Sequence, residues 1–192
     1  FLTGGSSMSF RSTIQTADEL NIFYGQKDPW EYHNNPHDIL RKEYLLNALP
    51  KQSYKRVLDI GCGNGFVTHD LPGQLVLGCD FSSKAIHWAQ SQTPSDKDKN
   101  IHFFEASIFD LLSVPHLGTF DLIVITGVLY KQYIGRGVVI IQSIIDKLLN
   151  PSGILVSCHI SDWHYCPFPY PLIDKTLYTY REYSHQLEVY KK

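Results

Sequence analysis

Residues 56–65 read RVLDIGCGNG, an apolar run that ends on an acid and an isoleucine and passes into three glycines at alternate positions. Short, apolar and closed by glycine, Arg56–Ile60 predicts a buried strand. The glycines admit two readings. They form a tight strand-to-helix turn chosen for packing. Alternatively, they bring backbone N–H groups against a ligand, at the start of a helix whose dipole favours a carboxylate or phosphate. The spacing is G-x-G-x-G, not the G-x-G-x-x-G of dinucleotide folds, and Asp59 precedes the loop, which disfavours a nicotinamide-dependent oxidoreductase.

Outward from this stretch, short strand-like runs alternate with longer amphipathic ones, the pattern of a parallel sheet with crossover helices. Asn35-Pro36 opens a helix with an apolar face of Ile39, Leu40, Leu45, Leu46 and Leu49, stopped by Pro50. Phe66–Leu71 reads as a short helix before Pro72-Gly73, Leu75–Cys79 as a second strand, and Ser82 as the cap of a helix turning Ile86 and Ala89 inward. Ile101–Glu105 and Leu122–Thr126 are the third and fourth strands. Val138, Ile141, Ile145 and Leu148 recur at helical spacing before SGILVSCHI, residues 152–160, supplies a fifth. The tail TLYTYREYSHQLEVYKK, residues 176–192, predicts two antiparallel strands or, over part of it, a helix. The expected fold is α/β, a doubly wound, Rossmann-like, mainly parallel sheet with helices on both faces and a C-terminal antiparallel hairpin. Residues 1–7, FLTGGSS, read as a vector-derived extension, 8–50 as an N-terminal lid segment with the first helix, and 51–192 as the ligand-binding core of the same single domain.

Composition narrows the function classes. A formal net charge of −2 without a Lys/Arg block argues against nucleic acid as a partner. No apolar run approaches the about 20 residues of a membrane helix, and no basic-then-apolar leader follows the N-terminus, so a cytoplasmic protein is expected. Cys62, Cys79, Cys158 and Cys166 form no C-x-x-C pair and no zinc-type cluster, which predicts reduced, partly buried thiols and no metal.

In such a sheet ligands bind beyond the C-terminal strand ends, where DIGCGNG lies. Asp80, at the end of the second strand, is placed to accept hydrogen bonds from both hydroxyls of a ribose, and the pair points to an adenosine-like ligand. VLDIGCGNGFVTHDL, LVLGCDFSSKAI, FDLIVITGVLY and GILVSCHI, in this order over roughly residues 55–160, resemble the successive motifs of class I S-adenosylmethionine-dependent methyltransferases. That resemblance implies S-adenosyl-L-methionine as cofactor. It implies that Asp59, Gly61 and Gly63 hold its methionine part, with Cys62 between them, and that Asp80 holds the ribose with Phe81 beside it. Ser107 and Ile108 would flank the adenine and Gly127 would lie beneath the sulfonium.

Outside the core, DPWEYHNNPHDILRKEYLLNALP at 28–50, VLYK at 128–131 and CHISDWHYCPFPYPL at 158–172 are similar to the NodS-like methyltransferases, which include an enzyme methylating the amine of a chitin-like oligosaccharide. Asp38, Lys42 and His159 match that group's pattern, whereas Gly127 stands where an acid is expected and Lys131 where an aromatic is. The acceptor implied is a small molecule, sugar-like or a natural product, methylated on a hydroxyl or amine. His159, at the end of strand five, is the candidate general base, weighed against a structural role, since the chain has nine histidines. Asp162 and His164 are rival bases or an orienting partner, weighed against solvated loop residues. Tyr130, the second candidate catalytic residue, lines the acceptor pocket or places a hydroxyl near the substrate, weighed against packing the core. Tyr24 and Trp30 form an aromatic lid over the methionine end or fasten the N-terminal segment. A cofactor-binding, non-catalytic partner or regulatory subunit is the alternative.

Overall fold

The structure is a computed structural model that describes residues 14–25, 28–29, 32, 34–93, 100–163 and 166–192. Its elements run α1 (Ala17–Phe23), α2 (Pro36–Ala48), β1 (Arg56–Ile60), β2 (Leu75–Asp80), α3 (Ser83–Ser91), β3 (Asn100–Glu105), β4 (Phe120–Thr126), α4 (Lys131–Ile134), α5 (Val138–Leu148), β5 (Leu149–Ile160), β6 (Leu172–Tyr180) and β7 (Tyr183–Lys191). The strands form one sheet in the order β3-β2-β1-β4-β5-β7-β6. The first five are parallel; β7 returns antiparallel to β5, and β6 antiparallel to β7.

Local chemistry sets the helix starts. The Asn35 side chain accepts from the His37 N–H ahead of Pro36, and the Ser82 hydroxyl accepts from the Ala85 N–H. Alternation along the strands sends side chains to two cores. Val57, Val76, Leu122, Val124 and Val156 pack with Leu45 of α2 and Ile86 and Ala89 of α3 on one face. Leu58, Ile60, Ile123, Ile125 and Leu155 pack with Ile141, Ile144, Ile145 and Leu148 of α5 on the other. Fully buried residues such as Ile123 and Ile125 each gain about 1.5–3 kcal/mol from leaving water.

Several elements differ from the sequence reading. Phe66–Leu71 forms no α-helix, only a 3₁₀ turn over Thr68–Asp70. Six residues between Gly65 and Pro72 cannot offset helix nucleation, and the Thr68 hydroxyl is drawn to Asp59 at 2.6 Å. On α2, Ile39 and Leu40 are exposed while Asp38 and Arg41 are buried, because the inward face meets a polar surface from the C-terminal hairpin. That hairpin begins at Leu172, four residues before the predicted stretch, since β6 pairs with the whole of β7. Helix α1 went unread, although Thr16 and Glu19 make a capping box. The four cysteines are buried and none is in a disulfide.

Candidate functional site

The strand order reverses between β1 and β4, so the loops leaving these strands diverge and open a crevice at their C-terminal ends. A cavity of about 340 Å³ lies there, walled by the 59–63 loop, the ends of β2 and β4, the 106–109 segment, α2, α4 and the strap formed by residues 14–24.

Gly61 adopts φ +76° and passes so close to Val128 that a Cβ would lie 2.1 Å from its Cγ2; Gly63, at φ +54°, has the Tyr24 hydroxyl 2.9 Å from the same point. The loop's amides are spent inside the protein. Gly61 and Cys62 N–H both donate to the Cys79 carbonyl, at 2.8 and 3.0 Å, and Gly63 N–H donates to Asp80 Oδ2 at 2.9 Å. With no α-helix behind the loop, the expected amide-and-dipole cradle is not the device used here. The glycines supply close approach, and the acids supply the charge.

Asp80 is buried, with Oδ1 accepting from Ser82 N–H at 2.8 Å, and burial raises its carboxyl against the pull of these amides. Each oxygen keeps acceptor capacity toward the cavity it lines. Asp59 is 1% exposed; Oδ2 accepts from Thr68, whereas Oδ1 has no hydrogen-bond partner. Burial pushes its carboxyl up to about 6, Asp80 adds to this, and the Thr68 hydroxyl and the Arg41 charge oppose it. A buried acceptor without a donor costs about 1–3 kcal/mol, so the fold holds Asp59 here at some expense to its own stability.

Of the residues named from sequence, Tyr24, Asp59, Gly61, Cys62, Gly63, Asp80, Phe81, Ser107, Ile108 and Gly127 line this one cavity. Gly127 has φ +67° and only open space within 4 Å of where a Cβ would stand. Trp30 and His164 lie outside the described residues. His159 and Tyr130 are placed behind the wall, not on it. His159 is 0% exposed, its Nε2 accepting from Leu129 N–H at 3.1 Å and its Nδ1 facing Ser157 Oγ at 3.1 Å. Tyr130 accepts from Ile160 N–H at 2.9 Å and meets the His159 ring edge-on. Together they latch the loop after β4 to the end of β5, with His159 Nε2 engaged by the Leu129 amide. The sequence matched Asp38 and Lys42 as a pair, but they point to different partners, Asp38 to Tyr180 and Arg181, and Lys42 to Asp70 at 2.6 Å.

Sequence reasoning missed Arg41, Tyr32, Phe109 and Tyr133 on the cavity wall. One signal was present for Arg41: with Asp38 it forms a charged i,i+3 pair on a helix face that periodicity assigns to the core. The strap is fastened at both ends, by Gln15 N–H to the Gln132 carbonyl of α4 at 2.8 Å and by Ser82 Oγ to Asn21 Oδ1 at 2.7 Å. Among the described residues no helix is long and apolar enough to cross a membrane.

Comparison with known proteins agrees with this geometry. The methyltransferase domain family matches residues 51–188. A ubiquinone biosynthesis O-methyltransferase of Albidiferax ferrireducens is 31% identical over 86 residues, 44% of this chain and 33% of that protein. A tRNA U34 carboxymethyltransferase of Psychromonas ingrahamii is 32% identical over 92 residues, 46% of this chain and 27% of that protein. The chain thus spans a third or less of the length of these curated relatives. Among solved structures, the N-methyltransferase NodS of Bradyrhizobium japonicum WM9 in complex with S-adenosyl-L-homocysteine superposes with a TM-score of 0.74 at 22% identity, covering 92% of this chain and 97% of that one. Magnesium protoporphyrin IX methyltransferase of Synechocystis PCC 6803, with the same ligand bound, gives 0.63 at 15% identity, covering 91% and 93%. A glycine loop between two buried acids at the switch point, on a sheet of this order and in a segment matched over well more than half its length, identifies the chain as a member of the methyltransferase domain family, with the class I, S-adenosylmethionine-dependent fold.

Proposed function

We propose that the protein transfers a methyl group from S-adenosylmethionine to a hydroxyl or amine of a small molecule. The observation that carries this is one cavity lined by two buried acids at neighbouring strand ends, Asp59 and Asp80, together with Gly61, Gly63 and Gly127. These groups fit the cofactor. In this reading Asp59 accepts from the ammonium of the methionine part, and Asp80 uses its remaining lone pairs on the ribose hydroxyls. Ser107 and Ile108 form the wall for the base, and Gly127 leaves room for an acceptor to approach. When bound, S-adenosylmethionine supplies an electrophilic methyl group on a positively charged sulfur.

The chain's own contribution is placement and exclusion of water. Tyr24 on the strap, with Tyr32, Phe109 and Tyr133, closes the apolar part of the cavity, so a nucleophile held there reacts from an oriented, poorly hydrated state. The strap residues 14–24 act as the lid, opening at the Gln15–Gln132 bond to admit ligand. His159 and Tyr130 serve as positioning residues: they hold Gly127, Val128 and Leu129 in line with the end of β5. A small acceptor is favoured because the cavity wall carries one cation, Arg41, against two acids, the reverse of an electrostatic funnel for a polyanion. A cytoplasmic location accords with this role.

Incubation of the protein with S-adenosylmethionine and a panel of amino sugars, sugars, phenols and bulk tRNA, followed for S-adenosylhomocysteine, tests the assignment. Turnover with a small hydroxyl or amine compound supports it. Turnover with tRNA alone moves the acceptor to nucleic acid, as the name of the carboxymethyltransferase relative allows. Cofactor binding with no turnover on any acceptor supports the non-catalytic partner.

A further inference from the structure

The loop that follows β5 carries an aromatic residue that neither the core nor the cavity accounts for. Phe168 of this loop packs into the core against Tyr190, at 5.7 Å between ring centroids, whereas Trp163 keeps 41% of its surface exposed. An aromatic side chain buries about 150–250 Å² when it packs, so a tryptophan left in water forgoes a large gain.

The ring is nevertheless held in place. Trp163 N–H donates to the Ile160 carbonyl at 3.2 Å, and the turn is pinned to the hairpin by Ser161, whose N–H and hydroxyl both donate to the Ser184 carbonyl, at 2.9 and 3.0 Å. Tyr183 packs against the indole at 5.0 Å, and Tyr130 meets it edge-on at 6.0 Å. A side chain fixed on two flanks loses little freedom when a ligand settles on it.

The same rings fix its place relative to the cavity. Tyr133, on the cavity wall, lies 6.2 Å from Tyr130, so one ring separates Trp163 from the wall on the α4 side. On the hairpin side, Tyr183 pairs across β7 and β6 with Tyr180, whose ring rests 5.7 Å from the Arg41 guanidinium of the wall. Trp163 thus stands beside the cavity, outside it, at the C-terminal strand ends. Exposed Asp162 and Glu182 adjoin Trp163 and Tyr183 in the chain, and Arg181 at the hairpin turn donates to Asp38 at 2.9 Å. An aromatic face beside two carboxylates suits a flat, uncharged ring that donates hydrogen bonds, and it opposes a phosphodiester.

We propose that Trp163, backed by Tyr183 and Tyr130, is an acceptor-binding platform that stacks on a flat, apolar-faced ring of the methyl acceptor outside the cavity. The acceptor is then an extended molecule, with its nucleophile in the cavity near Gly127 and a ring farther out on Trp163. The inference rests on the methyl-transfer reading above and deepens it: Trp163 determines specificity and takes no part in the chemical step. A pyranose and an aryl ring share the required face, and the test separates them.

The test follows the indole N–H signals of the isotope-labelled chain, with S-adenosylhomocysteine present, during titration with methyl β-D-glucopyranoside and with 4-hydroxyphenethyl alcohol. Trp163→Ala assigns the Trp163 signal. One of the two compounds should shift that signal saturably, and the one that does so identifies the ring. In Trp163→Ala, affinity for S-adenosylhomocysteine should stay within about twofold, while KM for an acceptor found in the panel rises about 5–20-fold at nearly constant kcat, as expected for loss of one stacking contact. Trp163→Tyr should retain most of the acceptor affinity. Tyr183→Ala, which keeps the indole and removes its backing, should weaken the same ring compound by less, and it replaces Trp163→Ala should that variant not fold. A Trp163 signal that neither compound moves at millimolar concentration overturns the proposal. So does a signal that moves only with protein concentration, which marks a contact between proteins. Equal loss of S-adenosylhomocysteine and ring-compound binding in Trp163→Ala means that the indole only supports the fold, and it overturns the proposal as well. A wild-type chain that binds no S-adenosylhomocysteine overturns the cofactor reading instead, whatever the indole signal does.

Discussion

Cofactor affinity should depend on pH through Asp59, and the structure sets the size of the effect. The Asp59 carboxyl stands at about 6 because it is buried with one oxygen unpartnered. A ligand ammonium binds its ionised form, so the apparent Kd scales as one plus the ratio of protonated to ionised Asp59. That factor is about 11 at pH 5 and about 1.1 at pH 7, roughly a tenfold loss of affinity with about 0.9 proton released per ligand bound at pH 5. Asp80, raised by burial as well, acts in the same direction, and Asp59→Asn isolates the Asp59 share. The sign for stability is the opposite one. A folded-state value above the ordinary 3.8 means the folded chain holds the proton longer than the unfolded chain, so the ligand-free protein loses up to about 3 kcal/mol as pH rises from about 4 to about 6. Asp59→Asn should therefore stabilise the free protein at pH 8 while weakening S-adenosylhomocysteine. Titrations between pH 5 and 8, run in two buffers of different ionisation enthalpy to count protons, measure the binding side, and urea unfolding at the same pH values measures the stability side. A Kd flat between pH 5 and 7 in the wild type, with no proton release, would refute the placement of Asp59 at the ligand.

Gly61→Ala should cost about 2–5 kcal/mol, from φ +76° and the 2.1 Å approach to Val128 Cγ2, and adding Val128→Ala should recover about 1–3 kcal/mol of it; strictly additive urea midpoints would rule out the contact. Asp80→Ala should abolish calorimetrically detectable S-adenosylhomocysteine binding and lower the melting temperature, since it also removes the acceptor for the Gly63 and Ser82 amides; full binding would separate Asp80 from the site. His159→Ala should lower stability by about 2–4 kcal/mol and slow turnover without changing the pH at which turnover is half-maximal, whereas a stable variant whose pH profile loses a limb near neutrality would restore His159 as a base. Tyr180→Phe, which removes one hydrogen bond from buried Asp38, should cost about 1–2 kcal/mol in urea unfolding, and an unchanged midpoint would show that α2 is held without the hairpin.

Local periodicity and turn chemistry are enough to read the central strands and their switch point. RVLDI, LVLGCD, FDLIVIT and GILVSCHI are continuous apolar runs because their strands are covered on both faces, and alternating helical segments between them leave a parallel sheet as the arrangement that buries them all. Asp59 and Asp80 were legible because a strand end at a switch point places its last residues at the crevice wherever the rest of the chain goes. The tertiary structure decided the rest. Whether the glycine-loop amides face a ligand depended on the Cys79 carbonyl and Asp80, contributed by the neighbouring strand, and both draw them inward. His159 stands at the end of β5, where strand order alone suggests access to the ligand, but the loop after β4 folds across it and uses its Nε2. Asp38, on the inward face of α2, is gripped by Arg181, 143 residues away along the chain. Sequence spacing reports distance within one element, through the 3.6-residue and two-residue repeats. Which buried polar atoms find partners, and which are left for a ligand, is settled only when elements remote in the chain pack together.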